Sequence, residues 1–333
     1  MANTDNKIDI GGVWKNLDAV QIAIGGSWKS ISEGYIAVGG AWKQWWASYT
    51  AGDRGVFGGG ADAGQYNTIQ YITISTTSNT SDFGDLTAAR NGLVGCASST
   101  IGCFGGGTTG SVTNIIDYVT IASAGNATDF GDLLVAKNNL ASCSNATRGL
   151  FAGGGTENVI DYITIATPGN ATDFGDLTVS RNFLVGCSST TIGVFGGGYA
   201  ATNVVDYVTI ASAGNATDFG DLTVARGAHS ACSSNTRGVF AGGYININVI
   251  DYITIATPGN ATDFGDLTVG RYGVTGTSNK TRGVFGGGYD NSTYKNVVDY
   301  VTIASAGNAT DFGDLVAGVA YPGSCSDCHG GLA

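Results

Sequence analysis

The pentapeptide Asp82-Phe83-Gly84-Asp85-Leu86 decides the fold, because the same five residues return five more times along the chain. The copies are centred on Phe83, Phe130, Phe174, Phe219, Phe264 and Phe312. The intervals between them are 47, 44, 45, 45 and 48 residues. A period of about 40 to 50 residues that contains several β-rich segments is typical of propeller blades. Six copies therefore predict six blades.

Each repeat holds the segments that four antiparallel strands need. In the repeat that ends with Phe219 and its neighbours, these segments are residues 182–188, 192–198, 204–211 and 215–223. The second segment ends in glycines that let the chain reverse, and the third has β-branched residues at nearly every second position. The first repeat lacks a first strand, whereas the last repeat runs on into residues 320–326. We therefore expect this C-terminal segment to pair with the strand containing Val56 and Phe57 and to close the ring.

Composition and charge exclude several classes of protein. The chain has 333 residues, of which 55 are Gly and only 12% are charged, which suits an all-β protein with many tight turns. The net charge is −11, and the excess lies after residue 50, where 22 acids face 11 bases. An acidic surface repels phosphate, so we expect no nucleic-acid partner. We also expect no membrane span and no signal peptide, because neither an 18-residue apolar segment nor a basic start with an apolar core is present.

The order of these segments resembles the kelch repeat. That repeat has a first strand, a hydrophobic strand ending in Gly-Gly, a strand with a Tyr, a large aromatic residue, and a basic residue before the next blade. The basic residues here are Arg90, Lys137, Arg181, Arg226 and Arg271. The resemblance covers residues 55–328 and departs from the kelch pattern in having Phe where Trp is usual. It implies a six-bladed kelch-like propeller over residues 51–328, followed by a tail at 329–333, and it says little about activity.

Residues 1–50 form a different module. The sequence Gly-Gly-x-Trp-Lys occurs three times with a period of 14 residues, and a Gly-Gly between alternating segments predicts a tight hairpin. All five tryptophans lie here: Trp14, Trp28, Trp42, Trp45 and Trp46. Fifty residues cannot bury five Trp rings in a core of their own. The rings could pack on the propeller, but we favour docking onto another protein chain.

Three Gly-Gly-x-Trp-Lys repeats ahead of a variable domain resemble the anchoring segments of tailed-bacteriophage structural proteins. The resemblance implies a virion structural protein, a tail fibre or another appendage, assembled in the host cytoplasm as part of a larger oligomeric assembly. Its partners would be other virion proteins through residues 1–50 and a host-surface glycan or protein at the propeller. The alternatives are a head decoration or scaffold propeller without a receptor role, and a propeller that carries c-type haem.

The haem alternative depends on Cys325-Ser326-Asp327-Cys328-His329, which matches the pattern of c-type haem attachment. The same residues could bind zinc or form a disulfide. However, counting 13 residues from each repeat Phe gives a series of matched positions: Cys96, Cys143, Cys187, Cys232, Thr277 and Cys325. We therefore expect small buried residues at these positions and no cofactor or metal at Cys325, Cys328 and His329.

The two aspartates of each pentapeptide could be calcium ligands, but two carboxylates are too few for that ion. We expect them to cap turns and to pair with the basic residue of the blade. Five Asn-Ala-Thr sequons are expected to be turn residues, at Asn126, Asn170, Asn215, Asn260 and Asn308. We expect no enzymatic activity, because the two histidines, His229 and His329, are too few for a kelch-like copper-radical oxidase and no Gly-x-Ser-x-Gly motif is present.

Variation between the repeats is concentrated in two places: the connection after the glycines, and the start of the first strand. In an antiparallel four-stranded blade these two places lie on the same face of the propeller. Tyr supplies a rigid ring and Asn supplies adaptable hydrogen bonds, and both suit recognition. This variable face is therefore predicted to bind a ligand. The predicted binding residues are Tyr199, Tyr244, Tyr289, Tyr272, Phe183, His229, Asn138, Asn139 and Asn182. The alternative is neutral drift in surface loops.

Overall fold

The computed structural model describes residues 52–199 and 202–328, together with the backbone of six strands between residues 7 and 47. The chain divides into two compact units, Met1–Thr50 and Ala51–Ala333.

The N-terminal unit contains three antiparallel hairpins. Their strands are β1 (Lys7–Ile10), β2 (Val13–Asn16), β3 (Val20–Ile24), β4 (Ser27–Ile31), β5 (Glu33–Val38) and β6 (Ala41–Ala47). The pairs that flank the three Gly-Gly turns are Ile10 with Val13, Ile24 with Ser27, and Val38 with Ala41. The predicted hairpins are therefore confirmed. The docking prediction depends on the Trp side chains, which lie outside the described part of the structure.

The second unit is a six-bladed β-propeller, as the six pentapeptides predict, and each blade is a four-stranded antiparallel sheet. Blade 1 consists of β30 (Gly323–Ser326), β7 (Arg54–Gly58), β8 (Thr68–Thr73) and β9 (Ser81–Asp85). Blade 2 consists of β10 (Val94–Ala97), β11 (Ile101–Gly105), β12 (Ile115–Thr120) and β13 (Thr128–Asp132). Blade 3 consists of β14 (Ala141–Ser144), β15 (Arg148–Ala152), β16 (Val159–Thr164) and β17 (Thr172–Asp176).

The remaining three blades repeat this arrangement. Blade 4 consists of β18 (Val185–Ser188), β19 (Ile192–Gly196), β20 (Val204–Thr209) and β21 (Thr217–Asp221). Blade 5 consists of β22 (Ser230–Ser233), β23 (Arg237–Ala241), β24 (Val249–Thr254) and β25 (Thr262–Asp266). Blade 6 consists of β26 (Thr275–Ser278), β27 (Arg282–Gly286), β28 (Val297–Thr302) and β29 (Thr310–Asp314).

The ring closes as the sequence predicts. Strand β30 pairs with β7 so that Ser324 lies opposite Phe57 and Cys325 lies opposite Val56. The first strands of neighbouring blades lie side by side around the central axis. Because a strand from the C-terminus completes the blade that the N-terminal repeat begins, no first-strand position is left empty.

Two residues of the pentapeptide, its Phe and its Gly, have separate structural roles. Asp117 pairs with Asp129 and Ile116 pairs with Gly131, so Phe130 is an extra residue in the fourth strand, a β-bulge. The bulge turns Phe130 into the core, edge-on to Tyr118. Gly131 has φ +142°, and a Cβ there would lie 2.5 Å from the carbonyl oxygen of Gly169 in the next blade. All six pentapeptides share this glycine conformation.

The Asn of each sequon joins two blades. Asn126 Oδ1 accepts a hydrogen bond from the backbone N–H of Asp85 in the preceding blade, at 3.1 Å. The same bond is made by Asn170, Asn215, Asn260, Asn308 and, in blade 1, Asn79. These residues are turn residues, as predicted, and their side chains also fix the spacing between blades.

The blade cations do not pair with the pentapeptide aspartates, so that prediction was wrong. They pair with the Asp of the third strand in the next blade. The pairs are Arg90 with Asp117 (3.0 Å), Lys137 with Asp161 (3.0 Å), Arg181 with Asp206 (2.7 Å), Arg226 with Asp251 (2.9 Å) and Arg271 with Asp299 (2.8 Å). In four of the five pairs a Thr hydroxyl also donates to the carboxylate. The register shift at the bulge begins at this Asp, which is buried, whereas the pentapeptide aspartates lie at or near the surface.

The interface between blades 6 and 1, here called the seam, has no ion pair of this kind among the described residues. Val319 stands where the other blades have a cation, Gln70 where they have Asp, and Val316 where four of them have Thr. Gln70 Oε1 accepts hydrogen bonds from Thr80 Oγ1 (2.5 Å) and from the backbone N–H of Val316 (2.9 Å). All three changes occur together, so the seam buries no unpaired charge.

Candidate binding site on the tyrosine face

The two ends of the propeller differ in chemistry. We call the end that carries the second-to-third connections and the starts of the first strands the tyrosine face, and the opposite end the serine end. The two variable segments of a blade touch at the tyrosine face through backbone hydrogen bonds. The N–H of Tyr199 donates to Asn182 (2.8 Å), and that of Tyr244 donates to Gly227 (2.9 Å). Tyr272 and Tyr289 bond in both directions.

Six residues with left-handed backbone form a ring at the mouth of the central channel. They are Gly92, Asn139, Phe183, Ala228, Gly273 and Tyr321, with φ between 53° and 66°. The N–H of each donates to the carbonyl of its counterpart in the preceding blade at 2.7–3.0 Å, and the six bonds close into a cycle. We call this the mouth ring. Because these bonds use only backbone atoms, the side chains at the six positions are free to differ.

Phe183 and Tyr321 are bulky side chains in a conformation that glycine favours, with φ of 54° and 58°. Such a conformation costs about 1–3 kcal/mol per residue and is found most often at functional sites. Gly92 and Gly273 show that an unstrained residue fits the same ring. Aromatic rings thus stand at two positions of the mouth where glycine would avoid this cost.

Seven aromatic rings form one connected group on this face, here called the aromatic cluster. Its members are Phe183, Tyr199, Tyr244, Tyr272, Tyr289, Tyr294 and Tyr321. The centroids of neighbouring rings are 4.7 to 6.4 Å apart. The cluster extends over blades 4, 5, 6 and 1, and Phe183 and Tyr321 join it to the mouth ring.

The cluster combines rigid packing with accessible surface. Tyr199, Tyr244 and Tyr294 are 58%, 48% and 42% exposed, although each ring touches another ring of the cluster. Burial raises the pKa of the Tyr321 hydroxyl above its usual value, and burial followed by neighbouring tyrosines does the same for the pKa of Tyr272. The hydroxyls of Tyr321 and Tyr272 are therefore neutral donors and acceptors at physiological pH.

The structure brings most of the predicted binding residues together. Tyr199, Tyr244, Tyr272, Tyr289 and Phe183 belong to the aromatic cluster. Asn139 lies beside Phe183 in the mouth ring, and Asn138 and Asn182 immediately precede ring residues. All three asparagines are half-buried.

His229 is placed differently from the other predicted residues. It is 3% exposed, its ring packs on Phe240 with centroids 6.2 Å apart, and neither ring nitrogen has a hydrogen-bond partner among the described residues. Burial, followed by the charges of Arg226 and Arg181, lowers the pKa of His229 well below its usual value. The corresponding positions in other blades hold core residues such as Leu93 and Leu140. His229 therefore occupies a core position directly below the mouth ring.

Tyr321 is not among the predicted site residues, because it lies in the closing segment rather than in a complete repeat. It can be found by counting, since every member of the mouth ring lies nine residues after its repeat Phe. What counting does not give is the backbone conformation, which places Tyr321 within 5.8 Å of Phe183 and 6.4 Å of Tyr272.

The matched cysteines are buried, as predicted, and they lie in the blade interfaces. Cys325 is fully buried, and a Cβ on Gly102 of the next blade would lie 2.7 Å from its sulfur. Cys96, Cys143, Cys187 and Cys232 contact matched glycines in the same way. Cys328 is also buried, and burial raises its pKa to about 11. His329 lies outside the described residues.

Within residues 52–199 and 202–328, no group of three or more His, Cys, Asp or Glu side chains is arranged to hold a metal ion. The part of the chain that the structure describes also has no helix of the length and apolarity needed to cross a bilayer.

No protein-family model matches the sequence, and a search of curated proteins gave no match.

Proposed function

We propose that the chain is a non-enzymatic bacteriophage structural protein whose tyrosine face binds a neutral glycan on the host surface. The observation that carries this proposal is the aromatic cluster, which is confined to one end of a propeller whose other end is nearly the same in every repeat. The kelch-like order of segments and the Gly-Gly-x-Trp-Lys hairpins support a tail fibre or another appendage.

The chemistry of the tyrosine face suits a sugar. The apolar faces of sugar rings stack on aromatic rings, and neutral phenol and amide groups supply directed hydrogen bonds. An ion pair beside the cluster, between Asp290 and Lys295, is neutral overall. Rings that already support one another lose little conformational freedom when a ligand binds.

The N-terminal unit supplies attachment in this proposal. Its three hairpins would dock into the virion through Trp14, Trp28, Trp42, Trp45 and Trp46, so that docking and recognition belong to different units. The competing function is a decoration or scaffold propeller, in which the tyrosine face would be covered by another virion protein.

The test compares two pairs of substitutions in assembled particles. Tyr244→Ala with Tyr289→Ala should abolish adsorption to host cells and leave incorporation into particles intact. Trp28→Ala with Trp42→Ala should prevent incorporation. If the Tyr substitutions leave adsorption at the wild-type level, the recognition role is wrong. A Soret band in the visible spectrum of the purified protein would instead favour the haem alternative.

A further inference from the structure

Two aromatic rings meet across the mouth of the central channel. Phe183 begins the first strand of blade 4, Tyr321 begins that of blade 1, and the two stand at opposite positions of the mouth ring. Their ring centroids are 5.8 Å apart, which is a contact distance for aromatic rings. We call this pair the bar. The bar leaves no gap for a sugar ring to enter the channel, so a glycan on the tyrosine face lies on top of it.

The bar divides the tyrosine face into two halves. On the side of blades 5 and 6 the mouth ring holds Ala228 and Gly273, and the tyrosines of the aromatic cluster lie on this side. We call it the aromatic half; its rings are those of Tyr244, Tyr272, Tyr289 and Tyr294. On the side of blades 2 and 3 the mouth ring holds Gly92 and Asn139, and no member of the aromatic cluster belongs to these blades.

The second half carries asparagines instead of tyrosines, and we call it the amide half. The residue directly before the mouth ring is Asn91, Asn138 and Asn182 in blades 2, 3 and 4, and Asn139 is itself a ring member. The same position in blades 5, 6 and 1 holds Gly227, Tyr272 and Ala320. The run of asparagines therefore stops at the bar, where the tyrosines begin.

The four amides of this half are accessible and have no partner in the described structure. None of the four side chains forms a hydrogen bond with a described residue, and all four are half-buried. Their amide atoms reach the surface, because none of them is among the buried polar atoms that lack a partner.

The backbones that carry these amides are fixed. The N–H of Asn91 donates to the carbonyl of Thr108 at 3.2 Å, and the carbonyl of Asn182 accepts from the N–H of Tyr199 at 2.8 Å. Asn139 is held by the hydrogen bonds of the mouth ring. A side-chain amide on a fixed backbone offers a donor and an acceptor, and ordering it costs little conformational freedom.

We propose that a neutral glycan chain lies across the bar, with its apolar sugar faces on the aromatic half and its hydroxyl or acetamido groups bonded to the amide half; this inference depends on the glycan-binding role proposed above. Phe183 and Tyr321 lie under the middle of the chain. A single sugar reaches one half only. A chain reaches both, and the second contact then adds affinity without a second loss of translational freedom. The ligand is therefore an oligosaccharide or polysaccharide, and the four asparagines contribute to its specificity.

The first test is a length series. The probes are neutral oligosaccharides of glucose, galactose, mannose or N-acetylglucosamine, each immobilised as a single sugar and as chains of up to six units. For the sugar that the protein binds, the longest chain should bind at least tenfold more tightly than the single sugar. An affinity that does not depend on length would contradict a ligand that spans both halves.

The second test removes the amides. Asn91→Ala with Asn138→Ala should be tolerated, because Ala320 stands at the matching position and makes with Ala61 the same backbone pair that Asn91 makes with Thr108. The loss of about two hydrogen bonds should weaken binding of the longest chain about tenfold and leave binding of the single sugar unchanged. The melting temperature should stay within a few degrees of the wild-type value.

Asn248→Ala is the matched control. This asparagine recurs in every blade, and its carbonyl accepts a hydrogen bond from Leu267 beside the fourth strand, away from the mouth ring. The control should bind both probes as the wild type does. If it loses as much affinity as the double variant, the amide half has no special role and the proposal is wrong.

The outcomes separate this proposal from the one on which it depends. If the double variant binds the longest chain normally while Tyr244→Ala abolishes binding, the amide half is not part of the site and recognition by the aromatic cluster stands. If the wild-type protein binds no glycan of the series, the glycan-binding role is wrong and the chain across the bar falls with it.

Discussion

The inter-blade contacts and the tyrosine face differ in how closely their residues match from one repeat to the next. At the contacts, the same residue type returns because every blade meets its neighbour at the same distance, as with Gly131 against Gly169 or Asn126 against Asp85. At the tyrosine face, the mouth ring repeats its backbone and changes its side chains, from Gly92 to Phe183 to Tyr321. Identity between repeats therefore marks contact with a neighbouring blade, and variation marks positions that the backbone supports by itself.

The largest effect should come from breaking one buried ion pair. Arg271 and Asp299 are both fully buried, and Arg271→Met leaves the carboxylate without its cation. We expect the free energy of unfolding to fall by about 3–5 kcal/mol in urea denaturation. Transplanting the seam means Arg271→Val, Asp299→Gln and Thr268→Val, together with Ala309→Thr to supply the hydroxyl that Thr80 gives to Gln70. This combined variant should recover much of the loss. If it is as unstable as Arg271→Met, the seam is not an equivalent solution.

The bulge glycine should come second. Gly131→Ala places a Cβ 2.5 Å from the Gly169 carbonyl oxygen and requires φ of +142°, so we expect a loss of about 3 kcal/mol. The matched control is Gly169→Ala, whose Cβ would meet nothing within 4 Å. The two melting temperatures measure the difference. Equal temperatures would contradict the role assigned to the close approach.

His229 is the histidine among six matched positions that otherwise hold Leu, Val or Pro. His229→Leu tests what this imidazole does to stability. Burial lowers the folded pKa of His229, so below about pH 6.5 the unfolded chain takes up a proton that the folded chain excludes. Stability is therefore lost as the pH falls. The substitution should raise stability by about 1–2 kcal/mol at pH 7.5, because two unpartnered nitrogens disappear. The gain should grow at pH 5; a gain independent of pH would refute this explanation.

Leu134→Thr should give a smaller gain. Leu134 stands where four blades have the Thr that donates to the buried Asp, so Asp161 keeps its 3.0 Å ion pair with Lys137 but lacks this hydroxyl hydrogen bond. Burial raises the pKa of Asp161, so ionised Asp161 lowers stability at neutral pH. A Thr hydroxyl should restore about 1 kcal/mol at pH 7 and nothing once the carboxylate is protonated. Leu134→Val lacks the hydroxyl and should give no gain.

The smallest effect on stability should come from the tyrosine face. Tyr199 is 58% exposed, and Tyr199→Ala should change the free energy of unfolding by less than about 1 kcal/mol. Tyr162, which packs edge-on against Phe174 beneath the stacked guanidinium of Arg148, is the matched framework residue. Tyr162→Ala should cost at least about 2 kcal/mol more. Similar losses for both variants would remove the contrast between face and framework.

The sequence by itself determined the number of blades, the closing strand, the N-terminal hairpins and the grouping of variable segments on one face. Each of these follows from the period and order of local segments, because a propeller repeats one supersecondary unit around an axis. The five aromatic residues predicted on the variable face could be named for the same reason. The direction of the strands alone is enough to predict that these five residues lie on the same face.

The tertiary structure alone decided which aspartate meets the blade cation, where Tyr321 lies and what His229 contacts. Asp117 rather than Asp82 pairs with Arg90 because a one-residue bulge shifts the register between the third and fourth strands. Tyr321 joins Phe183 because ring closure brings the end of the chain beside its middle. The mouth ring likewise arises from six segments that lie a full repeat apart. The distance between these segments is set by packing around the propeller axis. A local sequence pattern does not contain that information.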